Sequence, residues 1–583
     1  MTAPLTEPAA AAEALERFLG DPREPGSRMP FAEALDLDER EAFPERAVAA
    51  LDAWGLQGFY VPEPWGGALR SFETLTALVR AVARRDLTAA IAHAKTFLGV
   101  GPVWIAGTDA QRRRLGATVV AGGRIALGLT EAAHGGDLFA TETAAVETAS
   151  GHSLSGEKWL INNATRCDAI TVLARTDPRG GPRGCSLFLV SKRGTPGITC
   201  LPKIPTHGIR GADISSIRLD ACPLPPDARI GLAGQGIEVM MKSLQLTRVL
   251  VPGVSLGALD TGLRHVLDFA RSRRLGGGAV VEIPHARRIL TEAFVELLAA
   301  EAVVRAGARS VHVAPGRLAI WSAVVKFLVP SRVQAALRRL AVVLGARHYI
   351  RGDLLEKVLR DHALVALFDG STVVNLSALA QELPRLGSGA ARRAADEAGL
   401  RDRVAALFDL RAPLPAFRPE GLDLVSRGGD DGPGALVAAK AEIERLPGDA
   451  AEHPVDAEVR SYLATMAGDI AMELAVTAGQ FRSKDRPPHA SPEAFAAAER
   501  YAHLHAAAAC ILVWLRSRGA LDAFFAGGEW LAIALAQLVG PSGAPPPGPW
   551  YERVFARLAA LDEAGRTFAL EPLSPAPAEV CRS

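Results

Sequence analysis

Few side chains in this sequence are placed where they could hold or move a proton. Asp369 stands in Phe368-Asp369-Gly370-Ser371, where a carboxylate beside glycine and serine can cap a helix or close a turn. Arg248 lies on an otherwise apolar helical face, a position that costs energy unless an acceptor sits opposite. Trp159, in a short β-type segment, reads as a core aromatic. Arg273 is flanked by Arg271 and Arg274 and reads as part of a solvated basic face. The clusters Gly231-Leu232-Ala233-Gly234-Gln235-Gly236 and Gly276-Gly277-Gly278 lack the strand and lysine of a phosphate loop and the spacing of a dinucleotide fingerprint, so they read as turns. Cys167, Cys185, Cys200, Cys222, Cys510 and Cys581 form no CxxC pair and have no histidine at ligand spacing, so no metal site is expected. His503 and His505, two residues apart, fall on different faces of a helix.

Bulk properties narrow the partners. The 583 residues carry 65 Lys+Arg against 64 Asp+Glu, a net charge of +1, so nothing draws the chain to a polyanion. Arg112-Arg113-Arg114 and Arg338-Arg339 have no interleaved aromatics, and no nucleic-acid binding is expected. With 49% hydrophobic and 22% charged residues the composition is globular, and at ~150 residues per domain about three or four domains are expected. No apolar run reaches the ~18 residues of a membrane span, and the first twenty residues lack a signal pattern. A cytoplasmic protein without an integral membrane segment is expected.

Periodicity supplies the elements that must position these residues. Residues 1–127 read as helical, with apolar positions three and four apart in 47–54, 72–85 and 110–121. Residues 128–236 turn to short β runs at 169–173, 185–190 and 216–219. Residues 237–385 carry four long amphipathic patterns, 237–270, 284–309, 316–345 and 354–383, enough for a four-helix bundle. A connector is expected at 386–454, with Gly387-Ser388-Gly389 and the run from Ser426 through Arg427 and Gly428 to Gly434 at its ends, and a helical extension at 455–583. The expected class is mostly α with a small β domain, and no sequence period indicates a solenoid.

Local motifs then give a family resemblance. Leu129-Thr130-Glu131-Ala132-Ala133-His134-Gly135-Gly136-Asp137 resembles the LTEPxAGSD signature of the acyl-CoA dehydrogenases. Gly156-Glu157-Lys158-Trp159-Leu160-Ile161-Asn162-Asn163 is similar to GxKxWITN, and Gly208-Ile209-Arg210-Gly211-Ala212-Asp213 to GIRASD. Gly345 through Ser371, with Arg360-Asp361 and Phe368-Asp369-Gly370-Ser371, lies without a gap on the GGxG, RDA and YEGT sequence. The extension resembles, more loosely, the extra helical domain of the very-long-chain members. The resemblance implies FAD, an acyl-CoA or acyl carrier protein substrate, a homodimer or homotetramer, and an electron-transfer flavoprotein as possible acceptor.

It also implies roles. Asp369 matches the glutamate that takes the α proton, one methylene shorter, and Arg248 is implied to bond near it. Thr130, with Leu129 beside it, matches a residue bonding the flavin ring, Trp159 the aromatic beside that ring, and Arg273 the arginine reaching the FAD pyrophosphate of a neighbouring subunit. Gly345, Gly370 and Ser371 are implied to border the cofactor, and Gly136 and Phe368 the substrate. Departures stand beside these matches: Ile161 replaces a hydroxyl residue facing the flavin, Gly136 a serine, Gly276-Gly277 a Phe-Gly, Pro284 a glutamine, and Thr247 offers no carboxylate at the family's alternative base position. The expected reaction is oxidation of an acyl thioester to its 2-enoyl form. The alternatives are a flavin-dependent oxygenase or oxidase, for which Ile161 makes room, and an FAD-free scaffold.

Overall fold

The structure, a computed structural model, describes residues 5–388, 397–426, 429–447, 454–480 and 490–575. Cys581, Gly389, Arg427 and Gly428 lie outside the described residues. Six helices open the chain: α1 (Glu7–Leu19), α2 (Phe31–Glu39), α3 (Glu45–Trp54), α4 (Phe72–Ala83), α5 (Leu87–Ala106) and α6 (Asp109–Val120). Their starts follow local chemistry. Ser71 Oγ accepts from the Glu73 and Thr74 amides, Asp86 from those of Thr88 and Ala89, and Thr108 forms a reciprocal capping box with Gln111. α5 has the length and apolarity of a membrane span, but most of it is buried within the protein and it carries His93 and Lys95.

The β-sheet follows, with β1 (Ile125–Gly128), β2 (Ala144–Thr148), β3 (Gly151–Asn162), β4 (Ala169–Arg175), β5 (Cys185–Ser191), β6 (Ile198–Cys200), β7 (Ile214–Leu224) and β8 (Arg229–Ile230). The order is β6-β7-β3-β2-β4-β5-β8, and β1 pairs in parallel with β4. The sheet meets α5 so closely that a Cβ on Gly99 would stand 2.5 Å from the Ile125 carbonyl oxygen, which leaves room only for glycine.

The bundle contains α7 (Gly236–Leu250), α8 (Pro252–Ser272), α9 (Pro284–Val313), α10 (Leu318–Leu344), α11 (Leu354–Ala363) and α12 (Thr372–Ser388). Two of the four expected helices are thus divided. Pro252 interrupts the first. The fourth is divided between Ala363, where α11 ends, and Thr372, where α12 starts, and within that gap Asp369 and Gly370 have φ of 57° and 104°, in the left-handed region. The stretch expected to connect holds helices Glu397–Phe408 and Asp431–Glu444, and beyond it run Ala457–Gly479, Pro492–Ser517, Glu529–Val539 and Gly548–Glu563. Pro492–Ser517 packs on α9, α10 and α12, so it rests on the bundle.

Buried ion pairs tie these layers together. Glu73 on α4 holds Arg305 and Arg309 of α9 at 2.6 and 2.8 Å, and Arg305 also reaches Glu571 near the C-terminus at 2.7 Å. Glu571 in turn accepts from Thr6 before α1. The β-sheet is clamped to the bundle where the Ile209 amide donates to the buried Asp361 at 2.5 Å and Lys357 bridges Asp361 and Asp86.

Candidate active site

The turn between α11 and α12 aims Asp369 at α5. Lys95 Nζ lies 2.8 Å from each carboxylate oxygen of Asp369, and both side chains are 6% exposed. A pair so buried and bidentate is held by its geometry, because neither charge has water as an alternative partner. The Asp369 side chain therefore caps no helix: Ser371 Oγ accepts from the Val374 amide at 3.4 Å instead.

Two further cations brace the turn through its backbone. Arg248 of α7 donates Nε to the Asp369 carbonyl at 3.1 Å, the contact expected of it from the sequence. Lys326 of α10 donates Nζ to the carbonyls of Val365 and Gly370 at 2.8 and 3.1 Å. Gly370 must be glycine here, since φ is +104° and a Cβ would sit 2.9 Å from Arg248 Nε. Burial pushes Arg248 down to about 10 and Lys326 down to about 7, against the opposing pull of Asp369. Lys326 Nζ and Lys95 Nζ also face the Phe368 ring, at 5.8 and 4.1 Å from its centroid.

A narrow cavity of about 40 Å³ opens against this cluster. Tyr60, Leu75, Val79, Ile91, Phe97 and Thr247 are among its walls, and Lys95 and Asp369 are its charged ones. An apolar slot closed at one end by a carboxylate can seat a short hydrocarbon beside a base.

Sequence reasoning brought Asp369, Arg248, Phe368 and Gly370 together and missed both lysines. The signal for Lys95 was present: it is the one Asp, Glu, Lys or Arg in the twenty residues of α5, and a lone cation in a buried helix needs a partner. Lys326 was similarly legible in the apolar stretch Val324-Val325-Lys326-Phe327-Leu328.

The remaining candidates occupy other places. The Leu129–Thr130 segment is fixed to β3, where the Trp159 amide donates to the Thr130 carbonyl at 2.8 Å and Lys158 Nζ to the Leu129 carbonyl at 3.2 Å. Lys158 also pairs with Glu131, whose pKa these bonds hold down at about 2 against its burial. Trp159 is half-buried. Ile161, by contrast, is 2% exposed within the sheet core. Gly136 is exposed with φ of 87°, and nothing would meet a Cβ there.

A second charged region lies at the end of α8. Arg273 and Arg274 are exposed, and Arg347, beside Gly345, stands 5.6 Å from the ring centroid of Phe269 on α8. Among the described residues none of these three arginines has a carboxylate within ion-pair distance, whereas Arg271 beside them pairs with Asp562. Unpaired guanidiniums grouped at one bundle end suit a phosphate-bearing ligand.

Comparison with known proteins covers the same three regions. The N-terminal, middle and C-terminal domains of acyl-CoA dehydrogenase match residues 27–123, 126–222 and 234–383. The chain is 26% identical over 353 residues to the probable acyl-CoA dehydrogenase fadE25 of Mycobacterium leprae, covering 60% of this chain and 90% of that one. It is 26% identical to the human mitochondrial short-chain specific acyl-CoA dehydrogenase, over 61% of this chain and 86% of the other. The crystal structure of an acyl-CoA dehydrogenase complexed with FAD from Bacillus anthracis aligns with a TM-score of 0.69 at 16% identity, covering 95% of each chain.

Proposed function

Because this chain belongs to the acyl-CoA dehydrogenase family, we propose that it oxidises an acyl thioester, carried on coenzyme A or an acyl carrier protein, to the 2-enoyl thioester with FAD as its cofactor. The observation that carries the reading is the carboxylate of Asp369, presented by a left-handed turn to an apolar cavity. When bound, FAD supplies the two-electron acceptor that this oxidation needs.

The residues present fit that group. Arg273, Arg274 and Arg347 provide unpaired cations for a pyrophosphate, and half-buried Trp159 with the fixed Thr130 segment provides a flat aromatic and a hydroxyl for a ring system. Leu129 adjoins Thr130 and Gly345 lies two positions from Arg347, while Gly370 and Ser371 follow Asp369 and Ile161 is buried in the sheet core.

Asp369 Oδ accepts the α proton, and the loss of its negative charge is confined to a site that Arg248 and Lys326 keep in shape through backbone carbonyls. The apolar walls exclude water, which protects the carbanion-like transition state from reprotonation. Phe368 lies under both lysines and sets the floor of the cluster. Gly136, with open space around it, leaves entry for the thioester.

The C-terminal helices, resting on α9, α10 and α12, act as the extra domain of a very-long-chain-like member, in a cytoplasmic homodimer or homotetramer passing electrons to an electron-transfer flavoprotein. The test is an anaerobic visible spectrum during titration with acyl thioesters. Bleaching of the flavin band with formation of an enoyl product supports the reading, and a flavin untouched by every thioester refutes it.

A further inference from the structure

Charge around Asp369 does not balance. Lys95, Lys326 and Arg248 are 6%, 1% and 4% exposed, yet among the described residues the carboxylate set against them is Asp369 alone. Among the described residues Lys326 and Arg248 make no ion pair: their hydrogen bonds go to backbone carbonyls. Lys95 is the cation on the cavity wall and the one bonded to the base. Buried cations in excess of anions are costly, so a structure that keeps them calls for an anionic ligand.

The same pair poses a catalytic problem. Lys95 Nζ occupies both oxygens of the Asp369 carboxylate at 2.8 Å, so neither is open to meet an α hydrogen while the pair is formed. Once Asp369 takes a proton, Lys95 is left in an apolar cavity with no counter-charge.

One substrate feature answers both points. Resting on the dehydrogenase reading above, we propose that the acyl group is short and ends in a carboxylate, and that Lys95 transfers its pairing from Asp369 to that carboxylate as the substrate seats. Asp369, released from the ammonium, then accepts the α proton, while its carbonyl stays bonded to Arg248 and the Gly370 carbonyl to Lys326, so the turn keeps its shape. The proton leaves the α carbon for Asp369, no charge is left unpaired at Lys95, and the substrate carboxylate itself is unchanged.

Geometry limits the chain length. Lys95 Nζ is 2.8 Å from the carboxylate that must reach the α hydrogen, and the cavity holds about 40 Å³. A carboxylate two or three carbons beyond the α carbon spans that separation, at roughly 1.3 Å of advance per methylene, given ordinary carbon–carbon bonds near 1.5 Å. A cationic acyl group, such as one with a protonated amine, is repelled at Lys95.

The test uses two five-carbon probes that differ at one end, glutaryl-CoA and valeryl-CoA, whose coenzyme A portions cancel in the comparison. Binding to the purified protein is measured by calorimetry and flavin bleaching is measured anaerobically, for wild type, Lys95→Met and Lys95→Arg. Wild type is expected to favour glutaryl-CoA about ten- to a hundredfold in binding, the range for a charge-assisted hydrogen bond. Lys95→Met is expected to bring the ratio near one, and Lys95→Arg to keep the preference. Equal or better binding of valeryl-CoA by wild type overturns the proposal, as does an unchanged ratio in Lys95→Met. If Lys95→Met does not fold, the wild-type ratio and Lys95→Arg still decide. Bleaching by valeryl-CoA alone defeats this inference but leaves the dehydrogenase reading. Failure of every thioester to bleach the flavin defeats that reading, and the calorimetric ratio still judges Lys95.

Discussion

Replacing Asp369 by asparagine and Lys95 by methionine, singly and together, should give unequal losses of stability. Asn tolerates the left-handed backbone at φ 57°, so Asp369→Asn changes charge with little change of shape. It strips the counter-charge from Lys95, bonded at 2.8 Å through both oxygens, and from the nearby Arg248 and Lys326. Breaking a buried pair from one side costs ~3–5 kcal/mol. Lys326, already down at about 7, sheds its proton cheaply and adds little. Lys95→Met, in contrast, leaves a carboxylate that still feels the Arg248 guanidinium, and the expected loss is about 1–2 kcal/mol. The double variant removes both members, so it should recover about 2 kcal/mol relative to the sum of the singles. Urea unfolding of the four proteins, with m-values checked for constancy, measures the cycle. A Lys95→Met loss as large as that of Asp369→Asn, or strictly additive singles, would refute the reasoning.

Three further outcomes follow from other parts of the molecule. His312 accepts from the Phe72 amide at 3.0 Å, and His362 contacts Ser255 and Gln334; burial pushes them down to about 4 and about 3. Their folded pKa values lie below the unfolded one, so the unfolded chain binds more protons and stability falls as pH drops through 6.5. About 2 kcal/mol per histidine should be lost between pH 6.5 and 5, and urea midpoints that stay flat over this range would contradict it. Gly208→Ala would place a Cβ 2.3 Å from the Arg360 carbonyl oxygen, and a loss of about 1–3 kcal/mol is expected because backbone meets backbone where the sheet joins the bundle; an unchanged Tm contradicts that. Arg273→Ala should weaken FAD retention about ten- to a hundredfold, read as the flavin-to-protein absorbance ratio during dialysis, and full retention contradicts the phosphate assignment.

The sequence carried the order of layers because each layer has its own period. The β runs at 169–173 and 185–190 became β4 and β5 with one or two added residues, and the helical pattern at 284–309 became α9. What it concealed were the breaks and the partners. Periodicity passed over Pro252, which divides a continuous apolar pattern without changing its face, and over the turns at 364–371, with left-handed Asp369 and Gly370 near their end, that separate α11 from α12. Asp369 and Arg248 were legible through motif spacing, but Lys95, the partner of Asp369, lies 274 positions away from it in the chain. That distance hides the pair from any local pattern, although the lone charge in α5 marks it as a residue seeking a counter-ion. Ile161 was read from the motif alone; it lies in the sheet core, where irregular register between Lys158 and Ile161 interrupts the alternation along β3.

The central claim is that Asp369 takes the α proton. Its most direct test is the single-turnover rate of flavin bleaching by one thioester substrate in wild type and in Asp369→Asn, at equal flavin content. The account calls for a rate at least ~100-fold lower in Asp369→Asn, the lower end of the range for losing a positioned base, with substrate binding retained. A rate within a few-fold of wild type would contradict it and remove Asp369 from the chemistry.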